Sequence, residues 1–223
     1  VETRTIVVVE EEKVYLEPQQ YFAEAPKTAE FSNNITLSYA YIEPDNMMPF
    51  GLITPSSAKE SEKVPLIISL HGQSERGCNS KIFKEKFVIK LMRNWEMEGF
   101  NAYVMFPHLS GGFYSDSWNS PRTAEQFFEM LNWFIEQYNI DTDRIIIQGQ
   151  SMGGYGCLYM AAYKPEYFAA CVPISPYNSN VDLNKLSTMP MRCYVGHQSH
   201  GEDGRSVEFA LGKLSETIGE MNV

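Results

Sequence analysis

The chain has 223 residues, 43% of them hydrophobic and 13% aromatic, enough for one domain with a sizeable core. Its formal charge of −10 argues against a nucleic-acid backbone or an anionic membrane as the main partner, because both repel an acidic surface. No apolar stretch approaches the roughly 20 residues that span a bilayer, and the scattered Cys78, Cys157, Cys171 and Cys193 read as buried free thiols rather than a metal site or a disulfide frame. The chain begins at Val1 with no visible leader, which leaves cytoplasmic and secreted locations both open.

The first fifty-five residues are rich in β-formers: Thr5–Val9, Val14–Leu16, Ile35–Ile42 and Phe50–Thr54 are expected strands, separated by polar and proline-containing pieces. After the polar connector Ser56–Lys63 the pattern alternates. Val64–Leu70 is an apolar run, and Phe83, Phe87, Val88, Leu91, Met92 and Trp95 share one helical face. Ala102–Phe106 is the next expected strand. Ser120-Pro121 is an N-cap and first-turn pair opening a helix with Ala124, Phe127, Phe128, Leu131, Phe134, Ile135 and Tyr138 on one stripe. Arg144–Gln148 predicts a strand, Ser151–Tyr163 a helix stopped by Pro165, and Phe168–Ile174 and Met191–Val195 two more strands. Val207, Ala210, Leu211, Leu214 and Ile218 mark a last helix. Unbroken apolar strands alternating with amphipathic helices imply a largely parallel sheet covered on both faces.

One stretch stands out: Ile145-Ile146-Ile147-Gln148-Gly149-Gln150-Ser151-Met152-Gly153-Gly154-Tyr155-Gly156. It fits G-x-S-x-G between an expected strand and an expected helix. Such a turn holds a serine hydroxyl above the sheet edge, and small neighbours let strand and helix pass closely. A tight turn carrying a chemically idle serine is the alternative. A second piece, Leu70-His71-Gly72-Gln73-Ser74-Glu75-Arg76-Gly77, follows another strand. A backbone N–H in that loop and the N–H of Met152 are expected to form an oxyanion hole. His71 precedes the serine and reads as a buried histidine holding the loop rather than as a base.

These two stretches, with Tyr138-Asn139-Ile140-Asp141-Thr142-Asp143-Arg144-Ile145 and Lys164-Pro165-Glu166-Tyr167-Phe168-Ala169-Ala170, resemble the α/β-hydrolase superfamily. The resemblance is to its esterase branch, which includes feruloyl esterase-like and esterase D-like enzymes and predicted peptidases/phospholipases. It runs from about Phe50 onward, and the first fifty residues match no pattern. It implies an α/β-hydrolase three-layer sandwich, a mostly parallel sheet with antiparallel N-terminal strands, the final strand absent and no cap domain; residues 1–223 are expected to form this one domain, with 1–55 its β-rich N-terminal portion. It also implies Ser151 as nucleophile, with Gln73 and Met152 supplying the oxyanion hole through backbone N–H groups.

The chain departs from that pattern where acid and base are due. The family's usual acid position, after Gly196, holds Ser199, so Glu202 or Asp203 is the candidate acid, with a pair of solvated loop carboxylates as the alternative. No histidine follows His200. Three readings cover this: a truncated product lacking the final strand and its histidine, which is the expectation; recruitment of His197 or His200; or a non-catalytic relative. Substrate contacts are expected in Pro107–Trp118 and Ser175–Asn178, with His108, Trp118 and Tyr177 as candidates. A surface loop pinned by Trp118 is the alternative. The short 175–190 stretch leaves no room for a lid, so an open site for a short or polysaccharide-linked ester, acetyl or feruloyl, is expected. A silent carbohydrate- or protein-binding domain and a serine peptidase are the rival functions. No cofactor is expected: the histidines lack metal-ligand spacing, and neither a phosphate loop nor a dinucleotide fingerprint is present.

Overall fold

Val64–Leu70 and Ile145–Ile147 carry no polar alternation, so each must be covered on both faces, as the central strands of a parallel sheet are. The structure, a computed structural model, describes residues 6–9, 35–42, 48, 50–55, 62–76, 101–109, 117–176 and 181–194. Among them the sheet has seven strands: β1 (Ile6–Val9), β2 (Ile35–Ile42), β3 (Phe50–Pro55), β4 (Val64–Leu70), β5 (Tyr103–Pro107), β6 (Ile140–Gln150) and β7 (Ala170–Ile174), in the order β1-β2-β3-β5-β4-β6-β7. The first three pair antiparallel, β3 joins β5 antiparallel, and β5, β4, β6 and β7 run parallel. The expected antiparallel N-terminal strands and parallel remainder are therefore present. The expected strand Val14–Leu16 and the helices around Phe83–Trp95 and Val207–Ile218 lie outside the described residues.

The expected strand Met191–Val195 is represented by a short parallel ladder beside β7, bridging Cys171 to Met191 and Ile174 to Tyr194. The Arg192 N–H donates to Cys171 O (3.1 Å), and the Ser175 N–H donates to Tyr194 O (2.7 Å).

Helix α1 (Pro121–Gln137) begins where the sequence places it. The Ser120 hydroxyl accepts from the Thr123 N–H (3.1 Å), and Pro121 occupies the first turn, where its missing N–H costs nothing. Its apolar stripe buries Ala124, Phe127, Phe128, Leu131 and Phe134; the Phe134 ring meets Phe50 of β3 edge-on at 5.9 Å. Each such ring stabilises by about 1.5–3 kcal/mol on burial. Helix α2 (Met152–Tyr163) differs in kind: Met152–Leu158 and Met160–Ala162 are all buried, so it is an interior helix packed on β6 and β7. It stops at Lys164, whose N–H closes onto Met160 O, before Pro165.

Strand β6 starts earlier than its apolar run. Ile140 pairs with Val64 and Ile145 with Leu66, so Asp141–Arg144 bulges out of the ladder. The Asp141 carboxylate holds the bulge, accepting from the Asp143 N–H (3.1 Å) and from Arg144 Nε (2.6 Å). Among the described residues no helix is long and apolar enough to cross a membrane.

The connection from β4 leads to β5 on one side, and that from β6 leads to β7 on the other. The strand order thus reverses between β4 and β6. In open parallel sheets the crevice outside the carboxyl ends at such a reversal is where ligands bind.

Candidate active site

Both loops singled out in the sequence follow the carboxyl ends of β4 and β6, the two strands that flank that reversal. Ser151 stands alone between the last residue of β6 and the first of α2, with φ 55° and ψ −116°. Non-glycine residues reach that region only at a cost of order 1–3 kcal/mol, maintained by the surrounding structure. Here the Ser151 N–H donates to Ile174 O (2.9 Å), and Ser151 O accepts from the Tyr155 N–H (3.0 Å). The backbone is clamped on both sides while the side chain is partly exposed at the sheet edge.

The turn requires glycine where α2 crosses the end of β4. A Cβ on Gly153 would stand 2.1 Å from Leu70 O, and one on Gly156 would stand 2.5 Å from the Trp118 Cβ. Met152 is the first helical residue, so its N–H has no carbonyl one turn back to accept it, and it sits at the positive end of the α2 dipole.

Facing this turn is the loop after β4. His71 is 3% exposed, and every hydrogen-bonding group on its ring is engaged. Its Nδ1 lies 2.7 Å from Gly72 O, and its Nε2 lies 3.1 Å from the Leu109 backbone N. A carbonyl only accepts and an amide N–H only donates, so Nδ1 carries the proton and Nε2 is bare. Burial lowers its pKa to about 4; the Gly72 bond opposes this and the Arg76 charge adds to it. The His71 carbonyl in turn accepts from Trp118 Nε1 (3.0 Å). His71 therefore holds the loop, as expected from the sequence. His108, its ring centroid 5.5 Å away, is held neutral by burial and by His71, its pKa lowered to about 3. The His108 Nδ1 is buried and has no hydrogen-bond partner among the described residues.

Past Gly72 the chain makes a single 3-10 turn, Gln73–Glu75, in which the Ser74 hydroxyl bonds the Glu75 carboxylate. Arg76 then donates from Nε (3.3 Å) and Nη2 (3.0 Å) to the Met152 sulfur. A Cβ on Gly72 would stand 3.5 Å from Gln150 O. Gln73 and Met152 thus begin segments that lie against each other beside Ser151.

Two expected ligand contacts are corrected. Trp118 is 0% exposed and His108 3% exposed. The Trp118 indole N–H is taken by a backbone carbonyl, its ring meets His71 at 5.0 Å, and Gly156 backs onto it. Both side chains are buried, and Trp118 is tied to His71 instead, which is the alternative expected for it. Tyr177, Ser199, Glu202, Asp203, His197 and His200 lie outside the described residues. The Arg76–Met152 contact was not anticipated; a guanidinium on a thioether across the fold leaves no local signature in sequence. Among the described residues no group of three or more His, Cys, Asp or Glu could hold a metal ion.

A mixed sheet in this strand order, with a serine turn from the strand beside the reversal into a buried helix, is the α/β-hydrolase fold. The family model described as the prolyl oligopeptidase family matches residues 97–205. A thermostable esterase superposes with a TM-score of 0.64 at 22% identity, over 84% of this chain and 52% of that one, so the chain spans about half of that esterase's length. The feruloyl esterase module from Clostridium thermocellum, complexed with sinapinate, gives a TM-score of 0.67 at 14% identity, over 89% and 78% of the two chains. S-formylglutathione hydrolase from Staphylococcus aureus gives 0.63 at 16% identity, over 85% and 88%. No curated protein matches the sequence.

Proposed function

We propose that the protein is a serine hydrolase of carboxylic esters that works through an acyl-enzyme on Ser151. The observation that carries this is the clamped Ser151 backbone at φ 55°, the geometry of a nucleophile elbow, at the strand-order reversal. In this reading the Ser151 Oγ attacks the acyl carbon, and its proton passes to a general base. The carbonyl oxygen becomes an anion between the N–H groups of Gln73 and Met152. The tetrahedral adduct then collapses, expelling the alcohol, which takes up the proton, and water later releases the acid from the serine. Neither described histidine suits the role of base. His71 has both ring nitrogens engaged, and His108 is deeply buried. The base therefore comes from outside the described residues, with Glu202 or Asp203 as the acid that orients it.

Short or polysaccharide-linked acyl groups, acetyl or feruloyl, are the proposed substrates, with Tyr177 as a contact. The fold shared with a feruloyl esterase module and the short 175–190 connection support this choice. A serine peptidase is the second reading, favoured by the match to the prolyl oligopeptidase family over 97–205; acyl transfer from an amide uses the same parts.

The test treats the full-length protein with a fluorophosphonate and compares Ser151→Ala. Labelling confined to the parent protein is expected, with loss of turnover of about a million-fold in the variant. Release of acetate or ferulate from plant polysaccharide supports the ester reading, and release of peptide fragments without it transfers the assignment to the peptidase. Equal labelling in Ser151→Ala removes Ser151 from the chemistry.

A further inference from the structure

We propose that His71 is a positioning residue for the oxyanion hole, setting the plane of the Gly72–Gln73 peptide so that the Gln73 N–H faces Ser151. This rests on the reading of Ser151 as the nucleophile. A trans peptide is planar, and its C=O and N–H point in opposite directions. The Gly72 carbonyl is drawn toward the buried ring by the His71 Nδ1–H at 2.7 Å. The Gln73 N–H of that same peptide must then point away from His71. The Gln150–Met152 turn lies against this same stretch: a Cβ on Gly72 would stand 2.8 Å from Glu75 Oε2 and 3.5 Å from Gln150 O, and Arg76 reaches the Met152 sulfur. The ring itself cannot swing, because Nε2 is fixed by the Leu109 N–H and the His71 carbonyl by Trp118. A histidine that never meets substrate thereby holds a donor in place before the reaction, when reorienting it would otherwise cost rate.

The two ring nitrogens have separable duties. An asparagine amide can reach the place of Nδ1 and still donate to Gly72 O. A glutamine carbonyl can reach the place of Nε2 and still accept from Leu109, but it leaves Gly72 O without its donor. Hydrolysis of p-nitrophenyl acetate by the full-length protein reads the difference. His71→Gln is expected to lower kcat about 100-fold and His71→Asn by less than about 10-fold, with KM close to the parent value in both. The reverse order, or equal losses, assigns His71 to packing or to the Leu109 tether and overturns the proposal. Nitrogen-15 spectra of the imidazole of the parent protein provide a readout independent of the variants' folding. A proton on Nδ1 with Nε2 bare is expected; a proton on Nε2 overturns the proposal even while Ser151 remains active. If parent and Ser151→Ala hydrolyse the ester equally, the nucleophile reading itself falls, and this inference falls with it.

Discussion

The two ends of β6 depart from regular strand geometry in opposite ways. At the amino end Asp141–Arg144 bulges into solvent, secured by one carboxylate and its neighbours. At the carboxyl end Ser151 is bent into a disfavoured conformation, secured by two backbone hydrogen bonds and by contacts too close for any side chain. The first irregularity needs nothing but water and a short acidic side chain. The second requires the interior to be built around it. Strain that is held in place by packing, rather than relaxed, is the kind that clusters at functional sites.

Three changes probe that contrast, beginning with the most severe. Gly153→Ala drives a Cβ into Leu70 O, where backbone must move, and is expected to cost about 3 kcal/mol or more by urea unfolding. Next comes acid. The folded-state pKa values of His71, about 4, and His108, about 3, lie below the free value of 6.5. The unfolded chain therefore binds these protons first. Their contribution is complete well above pH 6.5 and declines as pH falls toward those values, by about 1.5 kcal/mol per histidine between pH 6.5 and 5. Urea midpoints measured across that window should fall, and His71→Asn should flatten the decline. The mildest change is Asp141→Ala at the amino end. The Arg144 hydrogen bond holds the Asp141 pKa below its ordinary value, so any contribution is present at neutral pH and is lost only in stronger acid, as pH falls through the lowered value. On an exposed bulge it is expected to leave the neutral-pH melting temperature where it was. A large drop there would erase the distinction between the two ends.

Much of this contrast could be read from the sequence, though unevenly. The apolar runs of β4 and β6, the stripe of α1 and the glycine-fenced Ser151 are local patterns, and local patterns survive folding when burial agrees with them. The Asp141–Arg144 bulge was missed because a polar stretch before an apolar run looks the same whether it ends a loop or interrupts a ladder. For Trp118 the sequence leaves two readings open, and the structure favours the pin. An aromatic in a stretch of glycines and hydroxyls suits a ligand platform, but its partner is the carbonyl of His71, far back along the chain. Nothing near Trp118 announces that pairing. The same holds for Arg76 and Met152, joined only once β4 and α2 are packed.

One histidine grips both feet of the excursion that leaves β5: Leu109 through its ring nitrogen and Trp118 through its carbonyl. Leu109 and Trp118 are thus tied to one and the same residue, so a substitution that displaces His71 loosens two anchor points at once while each keeps its own neighbours.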